Sequence, residues 1–190
     1  MVRYFRPRRI IEIGCGHSTR LLREALAKNL AEGSRECDHI CIEPYEQPWL
    51  ETLGVRVLRE RAECCDRKLF QSLGEGDILF IDSSHVIRPQ GDVLFEYLDL
   101  IPSLKKGVLI HIHDIFTPRD YPKEWVVNER RLWNEQYILE SFLSFNSDFR
   151  VLLAANWLTH NHLHELSEAC PILVQQPDRE PGAFWLSREH

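Results

Sequence analysis

Short apolar runs alternate along the chain with stretches in which apolar residues recur at helical spacing. Strands are predicted at seven places: Arg9–Gly14, His39–Glu43, Val55–Arg59, Asp77–Asp82, Val108–His113, Phe149–Ala154 and Ala183–Ser187. Helices are predicted at Ser18–Leu30, Gln47–Leu53, Asp92–Leu100, Asn128–Ser144 and Trp157–Ala169. This alternation is typical of an α/β protein with a mostly parallel sheet.

The first predicted strand ends in an acidic residue and a glycine turn. Glu12 precedes Gly14 and Gly16, and the helical pattern begins directly afterwards. Such a strand–turn–helix brings a ligand close to the backbone and to the positive end of a helix dipole. A pyrophosphate gains nothing from a carboxylate at Glu12, whereas a ligand with a positive charge does.

Other predicted strands also end in polar residues. Glu43 ends the second strand, Asp82 and His85 follow the fourth, and the fifth leads into His113 and Asp114. Because ligands of open α/β sheets bind beyond the carboxyl ends of the strands, we expect one site at this edge. An acid in the position of Glu43 is suited to bind the two ribose hydroxyls of a nucleoside.

These motifs, taken in order, resemble those of the class I S-adenosylmethionine-dependent methyltransferases. The segments Ile81-Asp82-Ser83-Ser84-His85 and His111-Ile112-His113-Asp114 are similar to the "IDxxH … HD" pattern of a subfamily with small-molecule and sugar O-methyltransferases. The resemblance covers Arg9 to Ala154. It implies a Rossmann-like, doubly wound sandwich with seven strands, the last antiparallel, in a single domain over residues 1–190.

Two features depart from the family pattern. Lys106 stands where a second glycine usually precedes the fifth strand. Only eight residues precede Arg9, so the N-terminal helices that cover the cofactor in family members are expected to be short or missing.

The resemblance also implies the residues that bind S-adenosylmethionine. Glu12 would lie near the cationic part of the donor, Ser18 or Thr19 would bind its carboxylate, and Glu43 would bind the ribose. The remaining cofactor positions are Gly14, Gly16 and Asp82, with Arg61, Ala62 and Glu63 flanking the adenine.

The resemblance implies that the reaction is transfer of a methyl group to a hydroxyl of a small molecule or sugar. His85 or His113 would remove the proton, since histidine titrates near neutral pH. In catechol-type relatives a divalent magnesium ion lies at positions that match Asp82, His113 and Asp114. An imidazole ligand shifts the preference from magnesium toward transition metals, so reactions with and without a metal both stay open.

An irregular, proline-containing stretch, Ile115–Glu124, follows the fifth strand. Tyr121 and Trp125 lie in or next to it, and Glu135 lies on the next predicted helix; these three residues are the candidates for contact with the acceptor. The acceptor itself stays open between sugar, phenol and polyketide hydroxyls and a nitrogen atom.

Composition limits the other functional classes. The formal net charge of −6 argues against nucleic acid as a partner, and no long apolar run predicts a membrane span. The six cysteines form no C-x-x-C pair, which favours reduced thiols and a cytoplasmic protein. We therefore expect a small-molecule acceptor as the partner. Whether the chain forms a homo-oligomer stays open.

Three alternative functions remain at this point. The first is a nicotinamide-dependent Rossmann oxidoreductase, disfavoured by Glu12 and by Thr19 at the position of the third glycine. The second is a non-catalytic module that binds a nucleoside cofactor. The third is a metal-dependent hydrolase built on Asp82, His85 and the residues around His113.

Overall fold

A seven-stranded sheet forms the centre of the computed structural model, which describes residues 1–45, 47–176 and 178–190. The strands are β1 (Arg9–Ile13), β2 (Asp38–Ile42), β3 (Arg56–Leu58), β4 (Ile78–Ile81), β5 (Leu109–Ile112), β6 (Phe149–Ala154) and β7 (Phe184–Arg188). Their order is β3-β2-β1-β4-β5-β7-β6. Strands β1 to β5 pair in parallel, and β7 is antiparallel to both β5 and β6. The predicted Rossmann-like sheet with an antiparallel last strand is confirmed.

Helices cover both faces of this sheet. They are α1 (Val2–Phe5), α2 (His17–Ala31), α3 (Arg67–Gln71), α4 (Asp92–Phe95), α5 (Ile101–Ser103), α6 (Glu135–Leu143), α7 (Ala155–Asn161), α8 (Leu163–Ala169) and α9 (Ile172–Gln175). A wide π-type turn, Glu96–Leu100, joins α4 to α5. Among the described residues no helix is long and apolar enough to cross a membrane.

Two predicted helices differ from the observed ones. The helix predicted at Asn128–Ser144 begins only at Glu135, because the chain leaves helical geometry at Arg130, whose φ is +55°. A separate π-type turn, Glu124–Asn128, precedes this break. The helix predicted at Trp157–Ala169 is divided at His162, where φ is −142° and ψ is 44°.

Alternation along the strands divides the buried residues between the two faces of the sheet. Ile11 and Ile13 of β1 belong to the larger hydrophobic cluster, whereas Ile10 packs with Leu22 and Leu26 of α2 on the opposite face. Both faces are therefore covered, as is usual for parallel strands. Glu12 lies on the α2 face by the same alternation.

The strand order reverses between β1 and β4. After β1 the chain continues toward one edge of the sheet, and after β4 it continues toward the other edge. This divergence opens a crevice at the carboxyl ends of the two strands, the usual ligand position in open α/β sheets.

Candidate functional site

The turn after β1 requires glycine at its first position. Gly14 has a φ of +74°, and a Cβ atom there would lie 1.7 Å from the carbonyl oxygen of Asp82. The backbone of the turn therefore touches the backbone that follows β4. Gly16 differs, since a Cβ atom built there meets no atom within 4 Å.

The N–H groups of this turn all bond to other parts of the protein. Gly14 donates to the carbonyl of Ile42 (3.1 Å), and Cys15 donates to the carboxylate of Glu43 (3.2 Å). Gly16 donates to the hydroxyl of Thr19 (3.0 Å). The turn thus supplies a close backbone surface for a ligand, while its own amide donors hold the turn in place.

A cleft of about 440 Å³ lies beside this turn, at the carboxyl ends of β1, β2 and β4. The residues that line this strand-end cleft are Ile13, Gly14, Cys15, Ile42, Glu43, Pro44, Tyr45, Arg61, Ala62, Glu63, Asp82, Ser83, Ser84, Arg88 and Asp92. The structure therefore brings Gly14, Glu43 and Asp82 together with the predicted adenine-flanking segment around Ala62.

The other predicted cofactor residues lie outside this lining. Thr19 is fully buried and its hydroxyl caps the turn. The hydroxyl of Ser18 donates to Oε1 of Glu12 at 2.6 Å. Gly16 closes the turn at the start of α2.

Glu12 is fully buried and does not face the strand-end cleft. Its Oε2 lies 2.9 Å from Nε2 of His39 on the neighbouring strand. Burial lowers the pKa of His39, but hydrogen bonds with Cys41 and Glu12 outweigh burial and raise it to about 9. The carboxylate expected next to a bound cation has its partners inside the protein.

His85 lies between two carboxylates at the other side of the β4 exit. Its Nδ1 is 2.7 Å from Oε2 of Glu135, and its Nε2 is 3.3 Å from Oδ1 of Asp82. Burial lowers the pKa of His85, but the hydrogen bonds with Asp82 and Glu135 outweigh it and raise the pKa to about 10. Because both ring nitrogens face acceptors, this geometry does not suit His85 to take a proton from a substrate.

The three predicted metal ligands, Asp82, His113 and Asp114, do not form one compact group among the described residues. Ligand atoms of Asp82, His85 and Asp114 lie within 4.8 Å of one another, so these three residues form the compact group at the strand ends. His113 is not part of this group. The ring of His113 is 40% exposed, with Nε2 3.5 Å from Asp114 and Nδ1 3.3 Å from Nε2 of His111.

The candidate acceptor residues are packed more deeply than expected. Tyr121 is buried against Phe116 and Trp133, and its hydroxyl accepts the N–H of Gln136 at 3.1 Å. Glu135 is fully buried and bonds to His85 and to the hydroxyl of Tyr97. Glu135 is therefore enclosed by its own partners, whereas Tyr121 lines a second cleft together with Phe116 and Arg119. Trp125 is the half-buried member of the predicted set.

Residues 11–115, more than half of the chain, match the family model of a methyltransferase domain. The chain belongs to this family. Membership in a methyltransferase family disfavours the nicotinamide oxidoreductase and the hydrolase. No curated protein matches the chain significantly.

Solved structures similar to this methyltransferase domain include the plantazolicin methyltransferase BpumL in complex with SAH. That comparison has a TM-score of 0.49 and 15% sequence identity, and covers 100% of this chain and 81% of the other. A second structure, of cmcI with Mg and SAM, has a TM-score of 0.48 and 16% identity, and covers 100% of this chain and 68% of the other.

Several lining residues of the methyltransferase domain were not predicted from the sequence. Asp92 accepts hydrogen bonds from the N–H (3.0 Å) and the hydroxyl (2.6 Å) of Ser84, and it lies 3.6 Å from Arg88. The serine pair directly after β4 and the acid at the start of the next helix were the available signals. Trp133, whose ring centroid lies 4.3 Å from that of His85, was not among the predicted site residues either.

Proposed function

We propose that this chain transfers the methyl group of S-adenosylmethionine to a hydroxyl group of a small-molecule acceptor. One observation carries the proposal: Glu43 and the glycine turn lie in the same cleft, at the point where the strand order reverses. A ribose diol can donate two hydrogen bonds to a carboxylate in that position. The remaining features of the cleft support the same donor.

The charge of the strand-end cleft favours a cationic ligand. Four of its lining residues are acidic (Glu43, Glu63, Asp82 and Asp92), and two are arginines. A sulfonium cation gains from this excess of carboxylates, whereas a dinucleotide pyrophosphate is repelled by it.

The backbone of the turn explains how the donor can approach closely. A side chain at Gly14 would overlap the backbone of Asp82, so glycine lets the turn and the segment after β4 meet at the wall of the cleft that the amino-acid part of the donor would enter. Its carboxylate can face the positive end of α2, which begins at His17. Glu12 contributes indirectly by holding Ser18 in the first turn of that helix.

The Asp82, His85 and Asp114 group fits a divalent cation. Two carboxylates and an imidazole are suitable ligands, and Glu135 orients the imidazole from behind, as carboxylates do in many metal sites. Bound there, a cation would lower the pKa of an acceptor hydroxyl. His113 is the histidine exposed enough to receive the hydroxyl proton.

Calorimetry with S-adenosylhomocysteine tests the proposal. We expect micromolar binding by the unaltered protein, and Glu43→Ala should weaken it about tenfold or more because charge-assisted hydrogen bonds to the ribose are lost. Glu24→Ala, which removes an exposed carboxylate of α2, is the control and should bind as the unaltered protein does. Binding of NAD without binding of S-adenosylhomocysteine would overturn the proposal.

A further inference from the structure

Three potential metal ligands share one buried face of the sheet, away from the strand-end cleft. Glu12 of β1 is the direct cross-strand partner of Cys41 of β2, and His39 precedes Cys41 by two positions. Strand alternation therefore directs all three side chains to the α2 face. All three residues are buried.

Their ligand atoms form a compact triangle. Oε2 of Glu12 lies 2.9 Å from Nε2 of His39 and 3.7 Å from Sγ of Cys41, and Sγ of Cys41 lies 3.8 Å from Nε2 of His39. Tetrahedral coordination with ordinary zinc–ligand bond lengths separates oxygen, nitrogen and sulfur ligands by about 3.3 to 3.6 Å. Adjustments of a few tenths of an ångström convert the triangle into three corners of such a site.

Cys15 offers the fourth ligand. Its Sγ lies beside the triangle, 3.4 Å from the carbonyl oxygen of Glu12 and 3.8 Å from that of Ile42. Cys15 also lies within the glycine turn. A cation held by these four side chains would therefore tie the turn to β1 and β2.

The surroundings of the group also suit a cation. Ser18 holds Oε1 of Glu12, which leaves Oε2 directed toward His39 and Cys41, and metal-binding carboxylates are commonly oriented in this way.

We propose that Glu12, His39, Cys41 and Cys15 bind a zinc-class divalent cation that fixes the glycine turn to the sheet. Thiolate and imidazole ligands select such a cation over magnesium. Binding releases the protons of the two thiols to solvent, with no change of oxidation state. The site is separate from the Asp82, His85 and Asp114 group and does not depend on the methyl-transfer proposal.

Cobalt substitution tests the site in the whole 190-residue chain, prepared metal-free and with its thiols reduced. One equivalent of Co²⁺ should produce a near-ultraviolet cobalt–thiolate charge-transfer band that Zn²⁺ then removes. Cys41→Ser should abolish the band and weaken Zn²⁺ binding by more than the roughly 10- to 100-fold that follows loss of an outer-shell partner. Cys37→Ser, a change at another buried free thiol, should leave both unchanged.

Further measurements separate the alternatives. Asp114→Asn should leave the charge-transfer band intact, because the Asp82, His85 and Asp114 group contains no sulfur. X-ray absorption of the zinc-loaded, unaltered protein should show sulfur at about 2.3 Å, a result that needs no variant to fold. Absence of sulfur in that spectrum, absence of the cobalt band in folded protein, or a band that survives Cys41→Ser would overturn the proposal.

Discussion

The imidazole of His85 lies 2.7 Å from the carboxylate of Glu135, a residue fifty positions further along the chain. The second oxygen of Glu135 accepts the hydroxyl of Tyr97 at 3.0 Å. One buried carboxylate thus satisfies donors from the loop after β4 and from the turn between α4 and α5. Its removal should affect both stability and the site.

We expect Glu135→Gln to lower the free energy of unfolding by about 1–3 kcal/mol, because the amide directs an N–H₂ group toward one of two buried donors. Urea denaturation measures the change. Glu140→Gln, on the exposed side of α6, is the matched control and should stay within about 0.5 kcal/mol of the unaltered protein. Equal stability of the two variants would contradict this role for Glu135.

Metal binding at the strand ends would distinguish the compact group of Asp82, His85 and Asp114 from the ligand set predicted by sequence. Asp114→Asn should weaken Mn²⁺ binding by more than about tenfold, whereas His113→Ala should change it less, because His113 lies outside the compact group. Calorimetry with Mn²⁺ measures both, with Asp178→Asn as a control at an exposed acid. The reverse order of effects would favour the original set with His113 as a ligand.

The two glycines of the first turn should respond differently to alanine. Gly14→Ala places a Cβ atom into the carbonyl of Asp82 at a positive φ, and we expect a loss of at least about 2 kcal/mol of unfolding free energy. Gly16→Ala meets open space in an extended backbone and should lose less than about 1 kcal/mol. Urea denaturation compares the pair, and equal losses would show that the contact with Asp82 does not control the turn.

The strands and the ligand-binding edge were predictable because they depend on local patterns. Apolar runs around Ile10, Ile40 and Leu79 mark strands in any sheet, and parallel pairing then gathers Glu43 and Asp82 at one end. The turn after β1 was also predictable, since a glycine at position 14 indicates a backbone with a positive φ.

Side-chain partners across the sheet were not predictable in the same way. His85 has a φ of +57°, and no glycine or proline marks this bend. Without the direction of that ring, the sequence predicted His113, and not His85, beside Asp82 and Asp114. Likewise, the sequence analysis interpreted Glu12 as facing a ligand. The strand register that places Glu12 beside Cys41 and His39 depends on pairing between distant residues, so it could not be seen in the sequence.

Glu96 gives a prediction for the pH dependence of stability. Burial, with the nearby charges of Glu135 and Asp92, raises its pKa well above 4.5, against the opposing effects of Ser83 and His85. Oε2 accepts the hydroxyl of Ser83 at 3.0 Å, whereas Oε1 is buried without a hydrogen-bond partner among the described residues. The folded protein therefore keeps a proton that the unfolded chain loses above pH 4.5.

Because unfolding releases this proton, the contribution of Glu96 to stability falls as the pH rises from 4.5 to its raised pKa, by about 1.4 kcal/mol per pH unit. Glu96→Gln has no such proton and keeps an acceptor for Ser83. We expect its free energy of unfolding, relative to that of the unaltered protein, to increase with pH in this window. Urea denaturation between pH 4 and 8, with a chelator present, measures the difference, and Glu24→Gln on the exposed face of α2 supplies the control. Parallel pH curves for Glu96→Gln and the unaltered protein would show that Glu96 ionises in the folded state as it does in the unfolded chain.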